Sequence, residues 1–115
     1  MIKGKVVLTP FPFTDLSASK VRPAVVVSNS LRGGADVILA FISTSFDAKD
    51  LSPTDELLLD INTDFSATGL KKSSVFKMDK LATVQKTIIL GEIGEVSPTL
   101  QTKLDAKIKI ALDLK

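Results

Sequence analysis

Cysteine, histidine, tryptophan and tyrosine are all missing from these 115 residues, and each absence removes a class of chemistry. Without cysteine there is no disulfide framework and no thiolate nucleophile. Without histidine the chain lacks both the imidazole acid–base catalyst and the commonest metal ligand. Six phenylalanines are the whole aromatic complement, so any stacking on a planar base falls to them. No apolar run approaches the roughly 18 residues of a membrane span. The N-terminus also lacks the long apolar stretch of a secretion signal, so the expectation is a cytoplasmic protein with no membrane partner.

What is present is ordinary in bulk and uneven in detail. The length fits one domain, 1–115, able to bury roughly two thirds of its unfolded surface. With 44% apolar and 24% charged residues the chain has the means to build a core. The net charge of +2 hides an alternation along the sequence. Residues 1–33 carry Lys3, Lys5, Lys20, Arg22 and Arg32 against Asp15 alone. Residues 47–64 carry Asp47, Asp50, Asp55, Glu56, Asp60 and Asp64 against Lys49, and residues 71–80 swing back with Lys71, Lys72, Lys77 and Lys80 against Asp79. If the two basic segments meet in space they make a local field suited to a polyanion; apart, they are solvated faces.

Several short strands follow one another. Val6-Val7-Leu8 ends at Thr9-Pro10-Phe11-Pro12-Phe13, where the prolines forbid continued ladder bonding. A loop of turn-forming residues runs from about Pro12 to Val21. Residues 22–28 are a nearly continuous aliphatic run, as a strand covered on both faces requires. Gly33-Gly34 marks a turn into a return strand at 36–42. Further strands are expected at 56–61, at 74–84 as one or two pieces, and at 87–94 with a bend at its glycines. Ser97-Pro98 is a helix start, with Leu100, Leu104, Ile108, Ala111 and Leu112 on one face of the helix that follows. Many short strands and one terminal helix predict a mainly β fold, a small, strongly bent antiparallel barrel with the helix packed on it.

The segment Lys20-Val21-Arg22-Pro23 stands out chemically. Arginine is charged at any working pH and presents a planar fork of donors that matches a phosphate. Proline fixes its own φ and pushes Arg22 toward an extended backbone, a rigid mount for one guanidinium.

In order, the stretches Lys3-Gly4-Lys5-Val6-Val7, PFPFTDLS at 10–17, RPAVVVSN at 22–29, VILAFISTS at 37–45, TGLKKSSV at 68–75 and the terminal helix resemble the MazF/PemK family of toxins from type II toxin-antitoxin systems. The resemblance implies an SH3-like barrel that forms a homodimer. It also implies cleavage of single-stranded RNA (mRNA) through a 2',3'-cyclic phosphate, with no metal or other cofactor, and neutralisation by a cognate antitoxin laid across the RNA groove. The family's arginine falls on Arg22 and its hydroxyl residue on Ser43, with Thr44 one place further on. Two positions depart from the family pattern: Lys5 follows Gly4 where aspartate is common, and Ala82 stands where some relatives carry arginine.

On that reading Arg22, Ser43 and Thr44 are the catalytic candidates, the first as phosphate clamp and proton donor, the others as hydroxyls on the scissile phosphate. No base is assigned; the carboxylates of the acidic segment and Asp79 are the available groups. Phe11, Phe13 and Phe46 are the candidates for stacking on bases, and Lys20, Lys71, Lys72, Lys77 and Lys80 for contacts to backbone phosphates. Two other readings stay open: a non-catalytic barrel that binds RNA or protein, and a CcdB-like poison of DNA gyrase. The second is disfavoured by a C-terminus that ends Ala111-Leu112-Asp113-Leu114-Lys115 without tryptophan.

Overall fold

The computed structural model describes residues 2–10 and 20–115. Six strands form one antiparallel, curled sheet: β1 (Lys5–Pro10), β2 (Val21–Val26), β3 (Asp36–Ser43), β4 (Asp55–Leu58), β5 (Ser74–Gln85) and β6 (Gly91–Glu95). Their order across the sheet is β4-β5-β3-β2-β1-β6, and one helix, α1 (Pro98–Ala111), follows. This mostly β architecture with a C-terminal helix is the one the sequence predicts. Among the described residues no helix is long and apolar enough to cross a membrane.

The aliphatic runs are explained by burial on both sides of the sheet. Side chains alternate along a strand, and here both sets are covered. Val6, Val25, Ala40 and Ile42 join a cluster with Phe76, Met78, Leu100 and Leu104 beneath α1. Val7, Ala24, Val26, Leu39 and Phe41 join a second cluster on the other face. Each fully buried Val, Leu or Phe side chain contributes about 1.5–3 kcal/mol of transfer free energy, so the strands carrying both clusters are the stiff part of the molecule.

Two elements sharpen the sequence expectation. The stretch 74–84, expected as one or two pieces, is one bent strand: β3 pairs through Ala40 with Leu81 and then through Phe41 with Lys77, which leaves residues 78–80 outside that ladder. The irregularity turns the first half of β5 toward β4, whose residues Asp55–Leu58 pair with Ser74–Lys77. The stretch 87–94 is a 3-10 turn (Lys86–Ile88) followed by β6. The chain must cross from β5 to the far edge beside β1, and the turn spends part of the expected strand on that crossing; Leu90 N–H donates to Leu8 C=O (2.9 Å) as β6 begins.

At α1 the Ser97 Oγ accepts from Leu100 N–H (3.0 Å), and Pro98 occupies the first turn. The sheet leaves β4 and β6 as edges, and the segment after β4 closes the distance between them. A short 3-10 turn (Ser66–Thr68) lies against β6 so closely that a Cβ on Gly69 would collide with the Ile93 carbonyl, and one on Gly94 with the Ala67 carbonyl. Gly69 also has φ 74°, a left-handed conformation that favours glycine. These two glycines form the seam of the curled sheet and bring residues 69–71 next to β1 and β6.

Candidate active site

The site forms where one ladder stops early. β2 pairs with β1 from Pro10–Val21 to Val6–Val25. With β3 it pairs only at Ala24–Phe41, Val25–Ala40 and Val26–Leu39. Continued by one residue, that register would set Pro23 against Ile42, but proline has no N–H to donate. Beyond it the strands part, and Ile42 and Ser43 pair with Phe76 and Val75 of β5 alone.

The gap is a concavity of about 380 Å3 lined by Lys20, Val21, Arg22, Pro23, Ile42 and Thr44. Arg22 is half-buried and sits opposite Thr9, itself buried, in the β1 ladder. Thr44, just past β3, is exposed and lines the same concavity. A second concavity of about 270 Å3 shares Pro23 and Thr44 with the first and is otherwise lined by Leu8, Gly69, Leu70, Lys71 and Ile93. Among the described residues, the lining of the two includes three cations, Lys20, Arg22 and Lys71, and no acid. A cleft lined by one sign of charge concentrates the opposite sign. It offers a guanidinium, two ammonium groups and a hydroxyl to an anion.

The candidates from the sequence separate into groups. Lys20, Arg22, Thr44 and Lys71 line the joined concavities. Ser43 does not; its Oγ donates to the Ser45 carbonyl (2.7 Å) and accepts from Ser45 N–H (3.3 Å), closing a local turn. Phe46 is half-buried and Lys72 exposed, neither lining the cleft, and Lys80 is exposed in the irregular part of β5. Lys77 faces Asp55 across the β4–β5 ladder, with Nζ 3.9 Å from a carboxylate that is only 5% exposed. Its charge is directed at β4 and not at the cleft. Phe11 and Phe13 lie outside the described residues.

A larger concavity, about 430 Å3, lies where α1 begins. It is lined by Lys3 and Glu95, whose charges cancel, and by Ser97, whose hydroxyl caps the helix. It lacks the one-signed lining of the cleft. Among the described residues no three His, Cys, Asp or Glu side chains gather as metal ligands would.

Sequence reasoning missed the aliphatic walls, Leu8, Leu70 and Ile93, and the part played by Pro23 in ending the β2–β3 ladder. The signal for the latter was present: a proline inside an aliphatic run marks a place where ladder bonding is interrupted.

Comparison with known proteins extends these observations. The model of a family described as PemK-like, MazF-like toxin of type II toxin-antitoxin system matches residues 2–112. Among solved structures, an endoribonuclease in complex with its cognate antitoxin, from a mycobacterial species, aligns with a TM-score of 0.75 at 23% identity, over 100% of this chain and 97% of that one. The Mycobacterium tuberculosis toxin MazF-mt6 aligns with a TM-score of 0.73 at 19% identity, over 96% of this chain and 98% of that one. A MazE–MazF structure from Deinococcus radiodurans aligns with a TM-score of 0.71 at 15% identity, over 100% and 98% of the two chains. At these identities the structural likeness establishes the shared fold. No curated protein matches in sequence.

Proposed function

The chain belongs to the PemK-like, MazF-like toxin family of type II toxin-antitoxin systems, and from that premise we propose that it is a toxin endoribonuclease that cuts single-stranded RNA. The observation that carries the reading is the shared concavity lined by Arg22 and Thr44. The reaction needs no metal: the 2'-hydroxyl of the substrate attacks the adjacent phosphorus, the bond from phosphorus to the 5'-oxygen breaks, and the products are a 2',3'-cyclic phosphate and a 5'-hydroxyl. The attacking oxygen loses a proton and the leaving oxygen gains one.

Arg22 stabilises the dianionic phosphorane, because its charge is permanent and its donors are mounted before substrate arrives. It can also supply the proton to the leaving oxygen. Thr44 Oγ1 donates a hydrogen bond to a non-bridging oxygen. Neither takes the proton from the 2'-hydroxyl, since a guanidinium has no free lone pair and an alcohol is a weak base. Lys20 holds a flanking phosphate, so binding weakens as salt rises. Of the two neighbouring hydroxyls Thr44 is assigned the role, because Ser43 is occupied by its own turn.

The protein acts as a homodimer in the cytoplasm and is silenced by a cognate antitoxin. An antitoxin complex among the similarly folded structures supports that partner. The test is direct. Pure protein incubated with a labelled RNA of mixed sequence yields fragments ending in cyclic phosphate, and Arg22→Ala leaves the RNA whole. Intact RNA in the presence of folded wild-type protein would refute the nuclease and leave a binding barrel.

A further inference from the structure

The second concavity is the part of the cleft that phosphate chemistry does not use. It shares Pro23 and Thr44 with the cationic pocket, but its other walls are Leu8, Leu70 and Ile93, with Lys71 as the single charge among its described residues. Its volume, about 270 Å3, lies below the range of about 300–1,000 Å3 that accommodates drug-sized ligands, as suits a single ring system. A ribonucleotide has the same division, an anionic linkage with a flat, mostly apolar base beside it. We infer that this concavity holds the base of a nucleotide flanking the scissile linkage, and that Lys71 selects bases with a carbonyl at pyrimidine C4 or purine C6, uracil or guanine, where cytosine and adenine carry an amino group. The inference rests on the ribonuclease reading.

The argument is one of complementary chemistry. Single-stranded RNA is read by splaying bases into pockets and bonding their edges. An ammonium group has three donors and no acceptor. It pairs with the carbonyl oxygens of uracil and guanine and meets unfavourably the amino groups that adenine and cytosine present at the equivalent edge. With no tryptophan or tyrosine in the chain and no phenylalanine among the described residues of this lining, the base is held between aliphatic surfaces and the proline ring. The seam glycines have a part in this: Gly69 lies against the Ile93 carbonyl, setting one wall of the pocket beside the residue that leads to Lys71.

The experiment follows the methyl resonances of Leu8, Leu70 and Ile93 while non-cleavable 2'-deoxy dinucleoside monophosphates carrying each base, and an abasic analogue, are titrated into the full chain. The uracil and guanine compounds are expected to shift all three residues, binding about tenfold more tightly than the adenine and cytosine compounds. The abasic analogue is expected to leave the three unmoved. Lys71→Gln, a change at an exposed position, should erase the ranking of bases while the methyl shifts persist. Unmoved methyls with every base, a ranking led by adenine or cytosine, or a ranking that survives Lys71→Gln would each overturn the inference. Methyls that ignore nucleotides but shift with an apolar peptide would give the pocket to a protein side chain, which also overturns it. Cleavage of RNA without methyl shifts sinks the base pocket alone, whereas methyl shifts without cleavage sink the nuclease alone.

Discussion

The two halves of β2 differ in both pairing and burial. From Ala24 to Val26 the strand is bonded on both edges and buried on both faces. From Val21 to Pro23 it is bonded to β1 alone and borders the cleft. One residue divides them. A proline in the middle of a strand normally weakens a sheet; here the lost N–H falls at the end of the β2–β3 ladder, beside a gap whose lining includes Arg22 and Thr44. Stiffness and function are thus adjacent along six residues, and substitutions in the two halves should separate cleanly.

The largest effect belongs to the packing around the sealed half, on β3. Phe41, 2% exposed and paired with Ala24, loses about 3–5 kcal/mol of stability as Phe41→Ala, read by denaturant unfolding; a cost under about 1 kcal/mol would mean that face is not a packed core. Next comes Arg22→Ala in the open half, with cleavage reduced about 100-fold to 1,000-fold and the melting temperature nearly unchanged. Unfolding of that variant would erase the distinction between the halves.

Pro23→Val restores the missing N–H and lets the ladder run on toward Ile42. It should slow cleavage about tenfold to 100-fold by narrowing the cleft, and amide exchange at residue 23 should show new protection. A fully active variant would show that the proline does not keep the cleft open. The smallest contrast sharpens the hydroxyl assignment: Thr44→Val should cost about tenfold in kcat, and Ser43→Ala less than about threefold. The reverse order would return the role to Ser43.

The mount itself was legible. Arg22 before a proline and an aliphatic run reads as a fixed cation at a strand mouth, and the doubly covered strands follow from runs with few polar interruptions. What escaped depends on pairing across the sheet. Which of Ser43 and Thr44 faces the cleft is a matter of parity at a strand end, where a shift of one residue exchanges the two faces. Lys77 reads as a free cation until the β4 register sets Asp55 opposite it. The bend in β5 has no local marker; it arises because that strand serves β3 and β4 together. The aliphatic walls of the second concavity come from three separate segments, and only the seam at Gly69 and Gly94 brings them together.

The central claim is that Arg22 and Thr44 act on the same phosphodiester across one cleft, and a double-mutant cycle in single-turnover RNA cleavage tests it. If the claim holds, Arg22→Ala and Thr44→Val are strongly non-additive, the double variant being little slower than Arg22→Ala alone. Losses that simply multiply would mean the two side chains work independently, and the account of the site would be wrong.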